Sequence, residues 1–330
     1  MHTGGEPTRI VVEGWPTLAS PTLMGKRREV RESHDHLRKA LMLEPRGHAG
    51  MYGAILVEPD DPEADLAVLF THNDGYSTMC GHATLALARW AVDTGRVAPV
   101  EPVTVVRLQC PCGLVTAHVE VRDGRAGRAR FESVPAFAFA LDAIVPTRTW
   151  GPLTVDIGYG GAFYAIADVG TIGLDVRTSP LRHLVDAGEE IAEAARANIR
   201  LEHPDDAALA FIYGAILTDG GVGALGPGGW PGPSRNVCVF AGRQVDRSPT
   251  GSGVTARLAV QVARRQSAVG DVCVYESVTG ARFEGRVLRD TKAGRHRAVV
   301  VEVAGEAYYT GESVFRFEAD DPLKWGFSLE

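Results

Sequence analysis

The chain contains two segments in which apolar residues follow one another at nearly every position. The first runs from Ala83 to Val92 and the second from Val254 to Ala263. A surface helix shows a single apolar stripe, so a helix that is apolar all round is predicted to be buried. A short polar stretch containing glycine precedes each segment, which is typical of a loop that leads into a helix. We therefore predict two buried helices of similar construction, about half a chain apart.

Short apolar runs rich in β-branched residues surround both helices and predict strands. The spacing of apolar residues between 27 and 43 predicts one amphipathic helix, with Val30, Leu37 and Leu41 on its inner face. Mixed strands and helices place the chain in the α/β class. The strand pattern begins again near Asp123. We therefore predict a first domain of residues 1–124, completed by the tail 312–330, and a second domain of residues 125–311.

Composition narrows the class of protein. With 330 residues the chain is long enough for two domains, and 45% hydrophobic and 23% charged residues are ordinary for a soluble globular protein. A net charge of −7 without a basic block argues against a nucleic-acid partner. No apolar run is long enough for a membrane span, and residues 1–7 lack the apolar core of a signal peptide. Five cysteines do not suggest a disulfide framework, so we expect a cytoplasmic location.

Cys80 stands at the start of the first buried helix, in the sequence Met79-Cys80-Gly81-His82. Backbone N–H groups and the helix dipole at such a position favour a thiolate and can hold an anion. Taken alone, Cys80 is better explained as a small core residue, because free cysteines mostly serve packing. A second helix start repeats the arrangement, because Thr250 is followed by Gly251 and Ser252. Two helix starts that face one pocket would hold a carboxylate between two sets of backbone amides.

These motifs resemble those of the proline racemase family. Met79-Cys80-Gly81-His82 is similar to the family's first signature, Asp246-Arg247-Ser248-Pro249 opens the second, and His2 to Pro7 is similar to the family's opening His-Thr-x-Gly-Glu-Pro. Racemases and 4-hydroxyproline epimerases of the family carry cysteine at both helix starts. The pairing of Cys80 with Thr250 resembles the subgroup of trans-3-hydroxy-L-proline dehydratases instead.

The resemblance implies a fold and a site. The fold would be two pseudo-symmetric domains like those of diaminopimelate epimerase, each a β-barrel-like sheet around a buried central helix. The substrate carboxylate would accept hydrogen bonds from the N–H groups of two residues at each helix start. The ring nitrogen would be bound by Asp246 and His82. Cys80 would act as the base, and Thr250 would position substrate or water. The N–H groups that hold the carboxylate would be those of Gly81, His82, Gly251 and Ser252.

The implied reaction is the dehydration of trans-3-hydroxy-L-proline to pyrroline-2-carboxylate, without a cofactor. No lysine motif for pyridoxal phosphate is present, and the spacing of Cys110 and Cys112 does not match a metal site, so no metal is expected. The expected partners are the small-molecule substrate and, as a potential homodimer, a second copy of the chain. Two alternatives stay open: a proline or 4-hydroxyproline racemase or epimerase, and a non-catalytic homologue that binds an amino acid.

Overall fold

A computed structural model describes residues 1–223 and 232–329 of the chain. The first 124 residues contain the first central helix, which is buried along almost its whole length as its sequence predicts. In chain order these residues form β1 (His2–Thr3), β2 (Glu6–Pro7), β3 (Arg9–Val11), α1 (Leu23–Ser33), α2 (Asp35–Met42), β4 (Tyr52–Val57), β5 (Leu66–His72), β6 (Tyr76–Ser77), α3 (Gly81–Asp93), β7 (Val103–Cys110) and β8 (Gly113–Arg122).

The later residues build a second strand-rich half around the second central helix, which is also buried. They form β9 (Arg125–Glu132), β10 (Phe137–Thr147), β11 (Gly151–Tyr159), β12 (Phe163–Asp168), α4 (Leu181–Asn198), β13 (Ile212–Thr218), β14 (Ser234–Phe240), β15 (Gln244–Asp246), α5 (Gly251–Ala263), β16 (Val272–Glu276), β17 (Arg282–Ala293), β18 (His296–Gly305) and β19 (Ala307–Tyr308).

Hydrogen bonding joins most strands into one continuous sheet, in the order β10-β11-β12-β13-β14-β16-β17-β18-β9-β8-β7-β5-β4-β3. A separate three-stranded sheet has the order β19-β1-β2, so it pairs the two ends of the chain. Helix α3 packs against β7, β8 and β9, and α5 packs against β10, β11 and β17. One hydrophobic core includes Leu85 of α3 and Leu258 of α5, and is therefore shared between the halves. A second core lies between α4 and the sheet of the second half.

The single helix predicted for residues 27–43 is wrong. The structure has two helices, α1 and α2, which meet at His34, where φ is −126° and ψ is 13°. Val30 and Leu41 are buried as predicted. The spacing of apolar residues thus predicted which of these side chains are buried, but it did not predict the break between the two helices. The predicted division at residue 124 stays a prediction, since β9 pairs with β8 on one edge and with β18 on the other.

Candidate active site

The two central helices meet at their N-termini. A Cβ atom added to Gly81 would lie 2.5 Å from the Cα of Gly251, and one added to Gly251 would lie 2.7 Å from the Cα of Gly81. Only glycine at both positions permits this approach. The first N–H groups of a helix have no acceptor inside the helix, so both sets remain available for an anion. The predicted juxtaposition of two helix starts is therefore present in the fold.

Cys80 is the N-cap of α3 and is 4% exposed. Its Sγ accepts a hydrogen bond from the N–H of Ala83 at 3.4 Å. Burial raises the pKa of the Cys80 thiol well above its ordinary value, although the Ala83 N–H and the Tyr52 hydroxyl oppose that rise. Burial therefore opposes the thiolate that the helix start favours.

His82 is the nearest acceptor for the thiol proton. Its Nε2 lies 3.2 Å from the carbonyl oxygen of Pro7, and because a carbonyl only accepts, Nε2 carries the hydrogen. Burial lowers the pKa of His82, which keeps the imidazole neutral and leaves Nδ1 free to accept. Nδ1 lies 3.2 Å from the Sγ of Cys80. A thiol and a neutral imidazole in this arrangement can form a thiolate by proton transfer.

Thr250 occupies the matching position before α5, but its geometry differs from that of Cys80. Its φ of 64° is left-handed, a conformation that is strained for a β-branched residue. Its hydroxyl is buried and makes no hydrogen bond of normal geometry among the described residues, although it lies close enough to the Cys238 thiol to lower the pKa of that thiol. A buried hydroxyl held in a strained conformation at a cavity wall is available to a ligand.

Two acidic residues, Asp246 and Glu6, lie close together at this site. Asp246 is 6% exposed, and its Oδ1 accepts from the N–H of Ser248 at 2.7 Å. Glu6 is buried, and its Oε2 accepts from the N–H and the Nη1 of Arg247 at 2.8 and 3.1 Å. Burial, reinforced by the charge of Asp246, raises the pKa of Glu6 to about 8. The sequence motif containing Glu6 was noted, but its contact with the second signature was not foreseen.

All seven residues predicted for the site line one cavity. The cavity is small, with a volume of about 10 Å³. Sequence reasoning missed most of its other walls, which come from strands far apart in the chain. The glycine-rich stretch before Tyr164 was the available signal for one of them, and Tyr164 pairs with the Ser252 hydroxyl at 2.7 Å. The further lining residues are Tyr52, Met79, Tyr164, Tyr213, Cys238 and Phe240.

Cys238 is a second thiol in this cavity. It lies on β14, directly opposite Asp246 of β15 in the strand pairing. Burial raises the pKa of Cys238 well above its ordinary value, and the nearby Thr250 hydroxyl opposes the rise.

Among the described residues, no group of three or more His, Cys, Asp or Glu side chains is placed to hold a metal ion. In that part of the chain no helix is long and apolar enough to cross a membrane.

Comparison with known proteins extends the resemblance over the whole chain. The sequence profile of the proline racemase family matches residues 1–328. The chain is 51% identical over 331 residues to a trans-L-3-hydroxyproline dehydratase of Saccoglossus kowalevskii, covering 100% of both chains. It is 50% identical over 336 residues to a trans-3-hydroxy-L-proline dehydratase of Homo sapiens, covering 100% of this chain and 93% of the relative.

An epimerase and a solved structure are also similar. A 3-hydroxyproline 2-epimerase of Burkholderia multivorans is 44% identical over 327 residues, which cover 99% of this chain and 96% of the relative. The crystal structure of a hydroxyproline epimerase from Agrobacterium vitis, with bound trans-4-OH-L-proline, superimposes with a TM-score of 0.92 at 30% identity, covering 99% of this chain and 93% of that one. The expected α/β fold is confirmed, and the chain belongs to the proline racemase family.

Proposed function

We propose that this protein dehydrates trans-3-hydroxy-L-proline to pyrroline-2-carboxylate. The observation that carries the proposal is the asymmetry of the two helix starts, where the thiol of Cys80 faces the hydroxyl of Thr250 in one cavity. An alcohol has no pKa near neutrality, so Thr250 is a poor acid or base. Dehydratases at 50 and 51% identity over the whole chain support the same reaction.

Binding would use both helix starts. The substrate carboxylate would accept hydrogen bonds from the N–H groups of Gly81, His82, Gly251 and Ser252, which also stabilise the negative charge that develops when the α-proton leaves. The carboxylate of Asp246 would bind the ring ammonium, since both ring nitrogens of His82 are engaged by Pro7 and Cys80. The buried Thr250 hydroxyl would bind the substrate or a water molecule on the opposite face.

The reaction needs only one face of the ring. The 3-hydroxyl of the substrate is trans to the carboxylate, so it lies on the same face as the α-hydrogen. Cys80 would transfer its thiol proton to Nδ1 of His82, take the α-proton as thiolate, and give that proton to the departing hydroxide. The thiolate then recovers its own proton from Nδ1 of His82, which restores the starting state. Water leaves, a C2–C3 double bond forms, and the enamine tautomerises to the pyrroline. We propose that no cofactor takes part, so activity should survive dialysis against a chelator.

An epimerase of 3-hydroxyproline is the second candidate, because one observation favours it. Cys238 is a second thiol in the cavity and lies beside Thr250. The position of Thr250 is the one at which the racemases of the family carry their second cysteine. A 44% identical relative is a 3-hydroxyproline 2-epimerase. Reprotonation of the α-carbon by this second thiol would invert the configuration at that carbon, and the hydroxyl would be retained.

Incubation of the hydroxyproline isomers with the protein in deuterium oxide separates the functions. The dehydratase releases pyrroline-2-carboxylate from trans-3-hydroxy-L-proline, whereas an epimerase incorporates deuterium at the α-carbon and retains the hydroxyl. A binding protein does neither. Release of less pyrroline than epimer would contradict our proposal. If epimer forms, Cys238→Ala should abolish it.

We also propose a cytoplasmic location, which the five free thiols support. We further propose that the protein forms a homodimer, which light scattering can test.

A further inference from the structure

We propose that Tyr52 is a positioning residue that donates a hydrogen bond to the Sγ of Cys80 and stabilises its thiolate. The inference rests on the proposed role of Cys80 as the base. Neither signature of the family motif contains Tyr52, which lies on β4, 28 positions before Cys80 in the numbering. Its side chain nevertheless forms part of the same cavity wall.

Packing fixes the position of the Tyr52 ring. The residue is 2% exposed, and its ring contacts that of His82 edge to face with centroids 4.8 Å apart. The rings of His72 and Phe240 lie 6.0 and 6.4 Å from it. A fully enclosed aromatic ring with neighbours on several sides has little freedom to rotate away. The phenol oxygen is therefore held at one point near the thiol.

The hydroxyl of Tyr52 has a second fixed partner. Its Oη makes a short hydrogen bond with the Oγ of Ser77, which is fully buried. Each hydroxyl carries one hydrogen. When Ser77 donates to the phenol oxygen, the phenol hydrogen is free to point at Sγ. The phenol lies close enough to Cys80 to lower the pKa of the thiol. We expect this contact to tighten when the thiolate forms, as hydrogen bonds in active sites often do.

The thiolate needs this support because the other surroundings of Cys80 oppose its charge. Burial is the largest opposing cause, and the carboxyl groups of Asp246 and Glu6 add to it. Burial also raises the pKa of Tyr52 well above its ordinary value, so the phenol keeps its hydrogen and remains a donor at every working pH. The remaining titratable groups that face Cys80 are His82 on α3, Cys110 on β7, Tyr164 on β12 and Tyr213 on β13.

Alkylation of Cys80 in the Tyr52→Phe protein tests the proposal without substrate. The full chain is treated with iodoacetamide at a fixed pH below the midpoint of the thiol, and the Cys80 peptide is quantified by mass spectrometry. A hydrogen bond to a charged group stabilises it by about one to two pKa units, so the alkylation rate should fall roughly ten- to hundredfold. The acidic limb of the kcat/KM profile should move upward by the same interval, with kcat falling more than KM rises.

Tyr275→Phe is the matched control. Tyr275 is equally buried, and its hydroxyl donates to the Oε1 of Gln261 at 3.0 Å, outside the cavity. Its loss should leave the Cys80 alkylation rate unchanged. Ser77→Ala, a smaller change, should lower the rate in the same direction as Tyr52→Phe. An alkylation rate equal to wild type in both cavity variants would overturn the role of Tyr52. Failure of Cys80 as the base would show instead as normal turnover in Cys80→Ser.

Discussion

Replacing Gly81 by alanine tests whether catalysis depends on the contact between the two helix starts. The new Cβ would lie 2.5 and 2.9 Å from the Cα and carbonyl carbon of Gly251, and 3.0 Å from the nitrogen of Ser252. All three are backbone atoms, which cannot rotate away as a side chain can. Carbon atoms normally rest about 3.5 to 4.0 Å apart, so the two helix ends must separate by roughly 1 Å.

That separation should damage catalysis more than folding. An overpacked core costs about 1–3 kcal/mol of unfolding free energy, which a chain of this size can absorb. A displacement of about 1 Å in a catalytic arrangement can lower the rate roughly a hundredfold. We therefore expect Gly81→Ala to fold with a modestly lower Tm and to turn over about a hundredfold more slowly.

The assay is steady-state release of pyrroline-2-carboxylate, with Tm measured by differential scanning calorimetry. Gly127→Ala is the control, because its new Cβ would lie 3.6 Å from the nearest atom, the carbonyl oxygen of Glu120. It should match wild type in both measurements. Gly251→Ala places its Cβ 2.7 Å from the Cα of Gly81 and should reproduce the defect. Turnover within twofold of wild type in both site variants would refute the reasoning.

Three further substitutions test other parts of the site. Cys80→Ser should lower turnover by the roughly hundredfold to ten-thousandfold typical of a lost general base, yet still bind the planar pyrrole-2-carboxylate in calorimetry, since the amides remain. Thr250→Cys should weaken dehydration and add epimerisation of proline or 4-hydroxyproline, read by chiral chromatography; rapid epimerisation by wild type would contradict our view of Thr250. Burial and the charge of Asp246 raise the pKa of Glu6 from 4.5 to about 8, so the folded protein favours the protonated carboxyl. The stability that this preference contributes is complete below pH 4.5 and is lost as the pH rises through about 8. Glu6→Gln should therefore raise the unfolding midpoint at about pH 9 relative to wild type and lose that advantage at about pH 4; an equal effect at both would count against it.

The central helices could be predicted from sequence because their signal is local. Apolar residues on every face of α3 and α5 leave burial as the only stable solution, and the structure has both helices buried. The position of Cys80 before α3 followed from the same pattern. The glycines before Tyr164 allow close packing against α5, because a Cβ on Gly160 would lie 2.2 Å from the carbonyl oxygen of Ser252.

Other features depend on the assembled fold and had no local signal. Tyr52, Tyr213 and Cys238 reach the cavity from three different strands, so only the strand order brings them together. The left-handed φ of Thr250 contradicts the preference of a β-branched residue. The raised pKa of the Cys80 thiol reflects how completely the fold removes it from water, which a helix start alone does not report.

The pairing of the chain ends has a consequence for the order of folding. Strand β1 forms hydrogen bonds with β2 and β19, and the Thr3 hydroxyl of β1 donates to the carbonyl oxygen of His82 at 2.9 Å. A ribosome synthesises β1 long before β19, because nearly all other strands lie between them in the sequence. Contacts between residues so distant in sequence form slowly, because a long loop must close before they are gained. The small sheet that holds Thr3 against His82 can therefore be completed only after β19 has been synthesised.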